Sequence, residues 1–338
     1  MGRTGGWRRA GSPGRFRYYD GRGNLIRDEA KLARIQSLVI PPAWKDVWIS
    51  PRPSAKLQAT GLDNAGRRQY LYHPAFRAQQ EQAKYDKLVR FAEKLPDLRA
   101  AMGEHMDHAT LDYERVSAVA TRLINRAWFR VGSERYAKES RTFGITTLTK
   151  RHVSVRGNKV AFHFRGKHKV LVRTALVDTE LAGTMKELLA LRGGRRLFRY
   201  EEDGGIYNLT GRRLNDYIRT YMGDEFTAKD FRTWGGTLTA AIAFAERGPV
   251  ESASEQKRVV ASVMRRVGEQ LGNTPAVARA SYVSPAVVEQ YLDGRTIEDF
   301  RPRHLRIVGA RDMGLDFEEQ ALLSLLRSWK IRQSRAAA

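Results

Sequence analysis

The chain has 338 residues, 42% of them hydrophobic, and carries 60 Lys and Arg against 37 Asp and Glu, a formal net charge of +23. The apolar fraction is enough for packed cores, so the excess charge belongs to a folded protein and calls for a polyanionic partner, of which nucleic acid is the commonest. The absence of Cys excludes disulfides and thiolate-bound metal, MGRTGGWRRAGSPGRFRYYD lacks the apolar stretch of a secretory leader, and no apolar run reaches the ~20 residues of a membrane helix.

Residues 1–80 read as strands and turns. In YYDGRGNLI, Asp20-Gly21 and Gly23 supply a hairpin turn. A short helix over EAKLARIQSL ends before Pro41-Pro42, and DVWIS, AKLQATGLD and RRQYLYH follow as runs of strand formers. From Pro74 the apolar residues fall three and four apart, which predicts a long polar helix over about 74–93 connecting two domains. LDYERVSAVATRLINRAWF predicts an amphipathic helix. HVSVRGNKVAFHFRGKHKVLVR alternates as three strands, with turns at Gly157-Asn158 and Gly166-Lys167. Helices are expected over TALVDTELAGTMKELLALR, TGRRLNDYIRTYM, RTWGGTLTAAIAFAE, EQKRVVASVMRRVGEQLG, SPAVVEQYL and FEEQALLSLLRSWKIRQS. The expected fold is α+β. A small β-rich domain over 1–80 precedes a larger, mostly helical domain over 81–338 with an embedded three-stranded antiparallel sheet.

Several common signatures are missing. There is no G-x-x-x-x-G-K-[ST] loop, which argues against an ATP-driven enzyme of that class, and GRGNLI lacks the third glycine of a dinucleotide fingerprint. His105 and His108 in EHMDHATLD have the spacing of metal ligands on one helix face, with Asp107 and Asp112 nearby. No third ligand stands out elsewhere, and clustered carboxylates for metal-dependent nuclease chemistry are absent. No metal and no cofactor are expected.

What remains is a set of cationic residues in unusual settings. WFRVGSERY places Arg130 at the end of an apolar helix, FRGKHKV places Lys167 in a tight turn between apolar strands, and AKDFRTWGG places Lys229 and Arg232 one helical turn apart. In LGNTPAVARASYVSP, Asn273-Thr274-Pro275 reads as a helix start and Tyr282 lies at the far end of the short helix that follows. Singly, each has a plainer reading: a snorkelling Arg, a solvated turn Lys, capping residues, a half-buried interface Tyr. Together they match what phosphodiester transfer without a metal requires. Guanidinium groups can bind the non-bridging oxygens bidentately, a Lys can protonate the departing oxygen, and positive charge favours phenolate character in a Tyr whose ordinary pKa is about 10.

The order Arg130, Lys167, Arg232, Asn273, Tyr282 resembles that of the type IB DNA topoisomerases, in particular the small poxvirus-like and bacterial group. The local contexts FRVGSERYAKE, FRGKHK, KDFRTWG and LGNTPAVARASYV are similar too, and IPPAWKDVWISP with LQATGLDNAGRRQYLYH extends the resemblance to nearly the whole chain. The resemblance implies that Tyr282 attacks the scissile phosphate and holds the strand as a 3′-phosphotyrosine. It implies that Arg130, Arg232 and Asn273 contact the non-bridging oxygens, and that Lys167 protonates the leaving 5′-hydroxyl with help from Arg130. Lys229 stands where relatives carry a supporting active-site lysine. Gln69, Tyr70, Tyr72 and Tyr136 match DNA-contacting positions, and the N-terminal domain would close over the duplex as half of a clamp. The implied partner is double-stranded DNA, bound by a monomer without nucleotide, membrane or cofactor, in the cytoplasm on the nucleoid. Two departures stand out: Asn273 replaces the His of many relatives, and Ser133 replaces a base-contacting Lys of the poxvirus enzymes. A tyrosine recombinase shares the chemistry but typically has His-x-x-Arg where this chain has Lys229-x-x-Arg232. A non-catalytic basic DNA-binding protein would account for the charge but not for the ordered set.

Overall fold

The computed structural model describes residues 5–301 and 314–337. Its chain divides into two units, Met1–Asp86 and Lys87–Ala338. In the first, β1 (Trp7–Ala10), β2 (Arg17–Tyr19), β3 (Lys45–Ile49), β4 (Leu57–Leu62) and β5 (Arg68–Tyr72) form one antiparallel sheet in the order β2-β1-β3-β4-β5. Helix α1 (Glu29–Ser37) starts at Asp28, whose side chain accepts from the Lys31 N–H. Its Ile35 joins Trp7, Ile26, Val47, Ile49 and Ala59 in a small apolar core. Asp63 closes the β4–β5 hairpin by accepting from the N–H groups of Ala65 and Arg67.

Helix α2 (Pro74–Met106) contains the division between the units. It runs well past the expected end near residue 93 and through Pro96, where Leu95 and Leu98 are both fully buried. Packing thus outweighs the loss of one main-chain hydrogen bond at the proline.

The second unit is mostly helical: α3 (Tyr113–Ala127), α4 (Glu134–Glu139), α5 (Thr179–Ala190), α6 (Gly211–Met222), α7 (Ala228–Arg247), α8 (Ala253–Leu271), α9 (Pro275–Ser281), α10 (Pro285–Leu292) and α11 (Phe317–Ala337). Its antiparallel sheet comprises β6 (Val153–Arg156), β7 (Lys159–Arg165) and β8 (Leu171–Val177) in that order. A separate hairpin pairs β9 (Arg199–Glu202) with β10 (Gly205–Asn208). The α+β architecture is the expected one, with further differences in detail. Thr174–Val177 continue β8 rather than opening a helix, because the helix start lies at Asp178, which caps α5 by accepting from the Leu181 N–H. The helix expected to include Trp128 and Phe129 stops at Ala127, since Trp128 adopts a left-handed conformation. Neither α4 nor the β9–β10 hairpin was expected.

The core of this unit is built round α3 and α7. Arg115 pairs with Glu187, and Arg122 with Asp178 and Glu180, tying α3 to the start and end of α5. Phe91 of α2 packs against Phe226, Phe231 and Trp234, the last two on α7. Glu319 of α11 accepts from Arg99 on α2 and from the indole N–H of Trp234. Helix α7, which carries two of the candidate site residues, is thereby held from several sides.

Candidate active site

Arg130 sits not on a helix but on an irregular segment just beyond one. After the left-handed Trp128 (φ 50°), the carbonyls of Arg130 and Val131 accept from the N–H groups of Ile145 and Thr146, each at 2.8 Å. A Cβ on Gly144 would lie 2.4 Å from the Arg130 carbonyl oxygen, so only glycine permits this approach.

Arg232 lies in the second turn of α7, which begins with a reciprocal cap between Thr227 and Asp230. It is only 5% exposed. Its guanidinium donates to the main-chain carbonyls of Trp128 (2.5 Å) and Leu271 (2.7 Å), while Nε is buried without a partner. Burial, and secondarily the charge of Arg130, draw its pKa down to about 10. It remains a cation at neutral pH. Three and four residues on, Gly235 and Gly236 make room for neighbours. A Cβ at 235 would strike the Trp128 indole at 2.2 Å, and one at 236 would lie 2.8 Å from the Tyr282 carbonyl oxygen and 3.0 Å from its Cβ.

The third group comes from the links among α8, α9 and α10. Gly272 (φ +61°) ends α8, and Asn273 follows with its N–H on the Gly268 carbonyl at 2.7 Å. The capping residue of α9 is Thr274, which accepts from the Val277 N–H ahead of Pro275. Asn273 Oδ1 accepts from Arg130 Nη2 at 2.7 Å and its amide NH2 donates to the Leu271 carbonyl at 3.4 Å, which leaves the second amide hydrogen to offer. Tyr282 caps the other end of α9 and is half-buried. The Arg232 guanidinium stands over its ring, 5.1 Å from the centroid. Burial alone pushes the phenol up, but Arg232, then Arg130 and Lys229, act the other way and prevail, so it titrates below its ordinary value of 10.0. Arg130 is itself drawn below the usual arginine range, chiefly by burial.

Lys167 lies at the β7–β8 turn, exposed, and is followed by two left-handed residues, His168 (φ 60°) and Lys169 (φ 61°). It lines, with Arg130 and Arg232, a cleft of about 320 Å³ that is also lined by Glu269–Gly272 at the end of α8. Tyr282 and Asn273 do not line that cleft. Lys229, exposed in the first turn of α7, acts on Tyr282 through its charge.

Structure thus brings Arg130, Arg232, Asn273 and Tyr282 together, with Lys167 sharing a cleft with both arginines. Tyr136 is an exposed residue of α4. Gln69, Tyr70 and Tyr72 belong to β5 in the first unit, where Tyr70 and Tyr72 are 50% and 39% exposed and stack at 6.2 Å, so they are surface residues and not core. The Gln69 amide donates to Asp63. The two histidines have other partners: His105 contacts the Tyr217 hydroxyl at 2.8 Å, and His108 contacts Asp112 at 2.7 Å. Among the described residues no group of three or more His, Asp or Glu side chains could hold a metal ion. Sequence reasoning missed the parts played by Trp128 and the glycine pair. Trp234-Gly235-Gly236 was a visible signal, since adjacent glycines inside a helix demand a packing reason.

Residues 73–300 match the family profile described as eukaryotic DNA topoisomerase I, catalytic core, and residues 15–63 match that of the bacterial DNA topoisomerase IB, N-terminal domain. The chain is similar to DNA topoisomerase 1B of Acanthamoeba polyphaga mimivirus, with 32% identity over 94% of this chain and 93% of the relative. It is also similar to DNA topoisomerase I of Monkeypox virus, at 25% identity over 70% of this chain and 73% of the relative. A shorter match reaches DNA topoisomerase 1 beta of Arabidopsis thaliana, at 27% identity over 49% of this chain and 17% of the relative. The catalytic-core match spans every candidate residue from Arg130 to Tyr282, and it decides against both the recombinase and the non-catalytic reading. The chain belongs to the type IB DNA topoisomerases.

Proposed function

We propose that this chain relaxes supercoiled duplex DNA by cutting one strand at a time, with Tyr282 as the nucleophile and with no ATP or metal ion in the reaction. The observation that carries the assignment is the cationic surroundings of one half-buried phenol: Arg232 over the ring, Arg130 and Lys229 adding charge, and a pKa held below the ordinary value. As the phenol loses its proton, Oη bonds to phosphorus and the bond from phosphorus to the 5′-oxygen breaks. Lys167 supplies the proton that the 5′-oxygen takes up. Arg130, Arg232 and the Asn273 amide donate to the non-bridging oxygens, where the transition-state charge is spread. The 3′-phosphotyrosine conserves the bond energy, so reversal after the free end has swivelled reseals the strand without ATP. All of these groups come from one chain and one unit, which fits a monomer. Tyr70, Tyr72, Gln69 and Tyr136 are assigned to DNA contacts, and the cytoplasmic nucleoid follows as the place of action.

The attachment site can be read directly. Covalent complexes trapped with detergent, then digested with nuclease and trypsin, should carry a nucleotide on the peptide Ala280–Arg295, with fragmentation placing it on Tyr282 and not on the buried Tyr291. A nucleotide on Tyr291, or on another peptide, would remove the assignment.

A further inference from the structure

Thr237 follows directly on the two glycines of α7 and is wholly buried, at 0% exposure. Its hydroxyl donates to the main-chain carbonyl of Tyr282 at 3.1 Å and accepts from the main-chain N–H of Ser284 at 3.1 Å. One hydroxyl has a single proton to give and lone pairs with which to receive, so this one group meets both needs. The two partners flank Val283 in the link between α9 and α10. Ser284 is 1% exposed and its own hydroxyl has no partner, so no side chain of the link itself takes over this task.

From the opposite side, the N–H groups of Tyr282 and Val283 both donate to the Ala278 carbonyl, at 3.0 and 3.1 Å. The main chain of Tyr282 is therefore held by α9 through its N–H and by α7 through its carbonyl. Gly236 lets α7 come close enough for the second hold, since a Cβ there would meet the Tyr282 carbonyl oxygen and Cβ. The same helix carries Arg232, five residues before Thr237, which stands over the Tyr282 ring. Helix α7 thus sets both the electrostatic surroundings of the phenol and the position of the backbone from which it projects.

We propose that Thr237 is a positioning residue for strand cleavage, fixing the Tyr282 main chain so that its phenol reaches the phosphate between the two arginines. The proposal rests on Tyr282 being the nucleophile. Thr237 touches no DNA and acts only through Tyr282. A misplacement of about 1 Å at the reacting atom can cost on the order of a hundredfold in rate. Loss of the hydroxyl also leaves a buried carbonyl and a buried N–H without partners, which gives the link a reason to shift.

The test compares full-length wild type with Thr237→Val, Thr237→Ser, Thr237→Ala and Tyr282→Phe. The readouts are the rate of plasmid relaxation at saturating enzyme, the rate of covalent-adduct formation on detergent trapping, duplex affinity, and the pH dependence of the rate. The expected result is a loss of at least tenfold in both rates for Thr237→Val, with duplex affinity within about twofold of wild type. Thr237→Ser should retain most of the rate. The pH profile of Thr237→Val should keep its shape, because the charges round the phenol are unchanged. Should the valine variant not fold, the ratio of the serine to the alanine rate isolates the same hydroxyl, with the same expected tenfold. Wild-type rates in Thr237→Val, or equal losses in the serine and alanine variants, would overturn the proposal while Tyr282→Phe remains inactive. Adducts formed by Tyr282→Phe would instead overturn the nucleophile assignment on which it rests.

Discussion

Arg232 is a cation whose burial lowers its pKa and costs stability, while two main-chain carbonyls hold it as a fixed charge over the Tyr282 ring. Removing one well-placed donor to a transition-state oxyanion typically costs on the order of 10²–10³ in rate. Arg232→Gln should therefore slow cleavage by about that factor while weakening duplex binding far less, a split measured by single-turnover adduct formation beside equilibrium binding. The pH dependence should move as well. Arg232 is the strongest influence lowering the Tyr282 phenol, so its removal raises that pKa and shrinks the phenolate fraction at any given pH below it. The rise of rate with pH should accordingly shift to more alkaline values in the variant; an unshifted profile would show that the phenol is not what titrates. At this scale the candidate set was legible only as a set, because Arg130, Lys167, Arg232, Asn273 and Tyr282 each have a plainer reading alone and only their order singles them out. Their supports were not. Arg232 is held by carbonyls 104 and 39 positions away in the chain, and a main-chain acceptor leaves no mark on the sequence.

Helix α7 owes its fit to two missing side chains. Glycine inside a helix costs about 1 kcal/mol relative to alanine, so Gly236→Ala would be stabilising if space allowed. Space does not allow it, since the added methyl would meet main-chain and Cβ atoms of Tyr282 at 2.8 and 3.0 Å, and overpacking costs roughly 1–3 kcal/mol. The balance favours a displaced tyrosine. Gly236→Ala should lose at least tenfold in adduct formation while melting within a few degrees of wild type. Gly183 on α5 makes the comparison clean, because a Cβ there meets nothing within 4 Å. Gly183→Ala should raise the melting temperature by roughly 2–4 °C and leave cleavage unchanged. Among the elements, those with a strong three- and four-residue period were legible, α3 and α6 through α8 above all. Thr174–Val177 were misread because Thr-Ala-Leu-Val suits either helix or strand, and only the pairing with β7 decides it. The β9–β10 hairpin did carry a turn signal in Asp203-Gly204, both with positive φ, between two short strands. Helix α4, with six residues, is too short for any period to show.

Across the whole molecule, charge and burial set how the protein responds to its solvent. With a net +23, duplex binding should release condensed counterions, so the logarithm of affinity falls linearly with the logarithm of salt. If six to ten phosphates are contacted, affinity drops by roughly 10³–10⁵ between about 50 and 200 mM salt, measurable by anisotropy of a labelled duplex. A salt-indifferent affinity would contradict a phosphate-directed surface. Stability should respond to acid through His152, packed against Phe143, whose imidazole is pushed down to about 4, first by burial and then by Arg151 and Arg196. Between about pH 6.5 and pH 4 the unfolded chain takes up this proton and the folded chain does not. Stability is therefore lost as the pH falls through that window, by at most about 3 kcal/mol. Thermal melts should show a shallower decline over the same range in His152→Asn.

The central claim is that one tyrosine, activated by arginines and without ATP or a metal ion, cuts and reseals DNA. It is tested most directly by plasmid relaxation with EDTA present and no nucleotide, wild type beside Tyr282→Phe, each stopped with detergent. The account predicts that wild type relaxes both positive and negative supercoils and leaves protein on the 3′ end of a nicked strand, while the variant does neither. Relaxation abolished by EDTA, or retained by Tyr282→Phe, would contradict it.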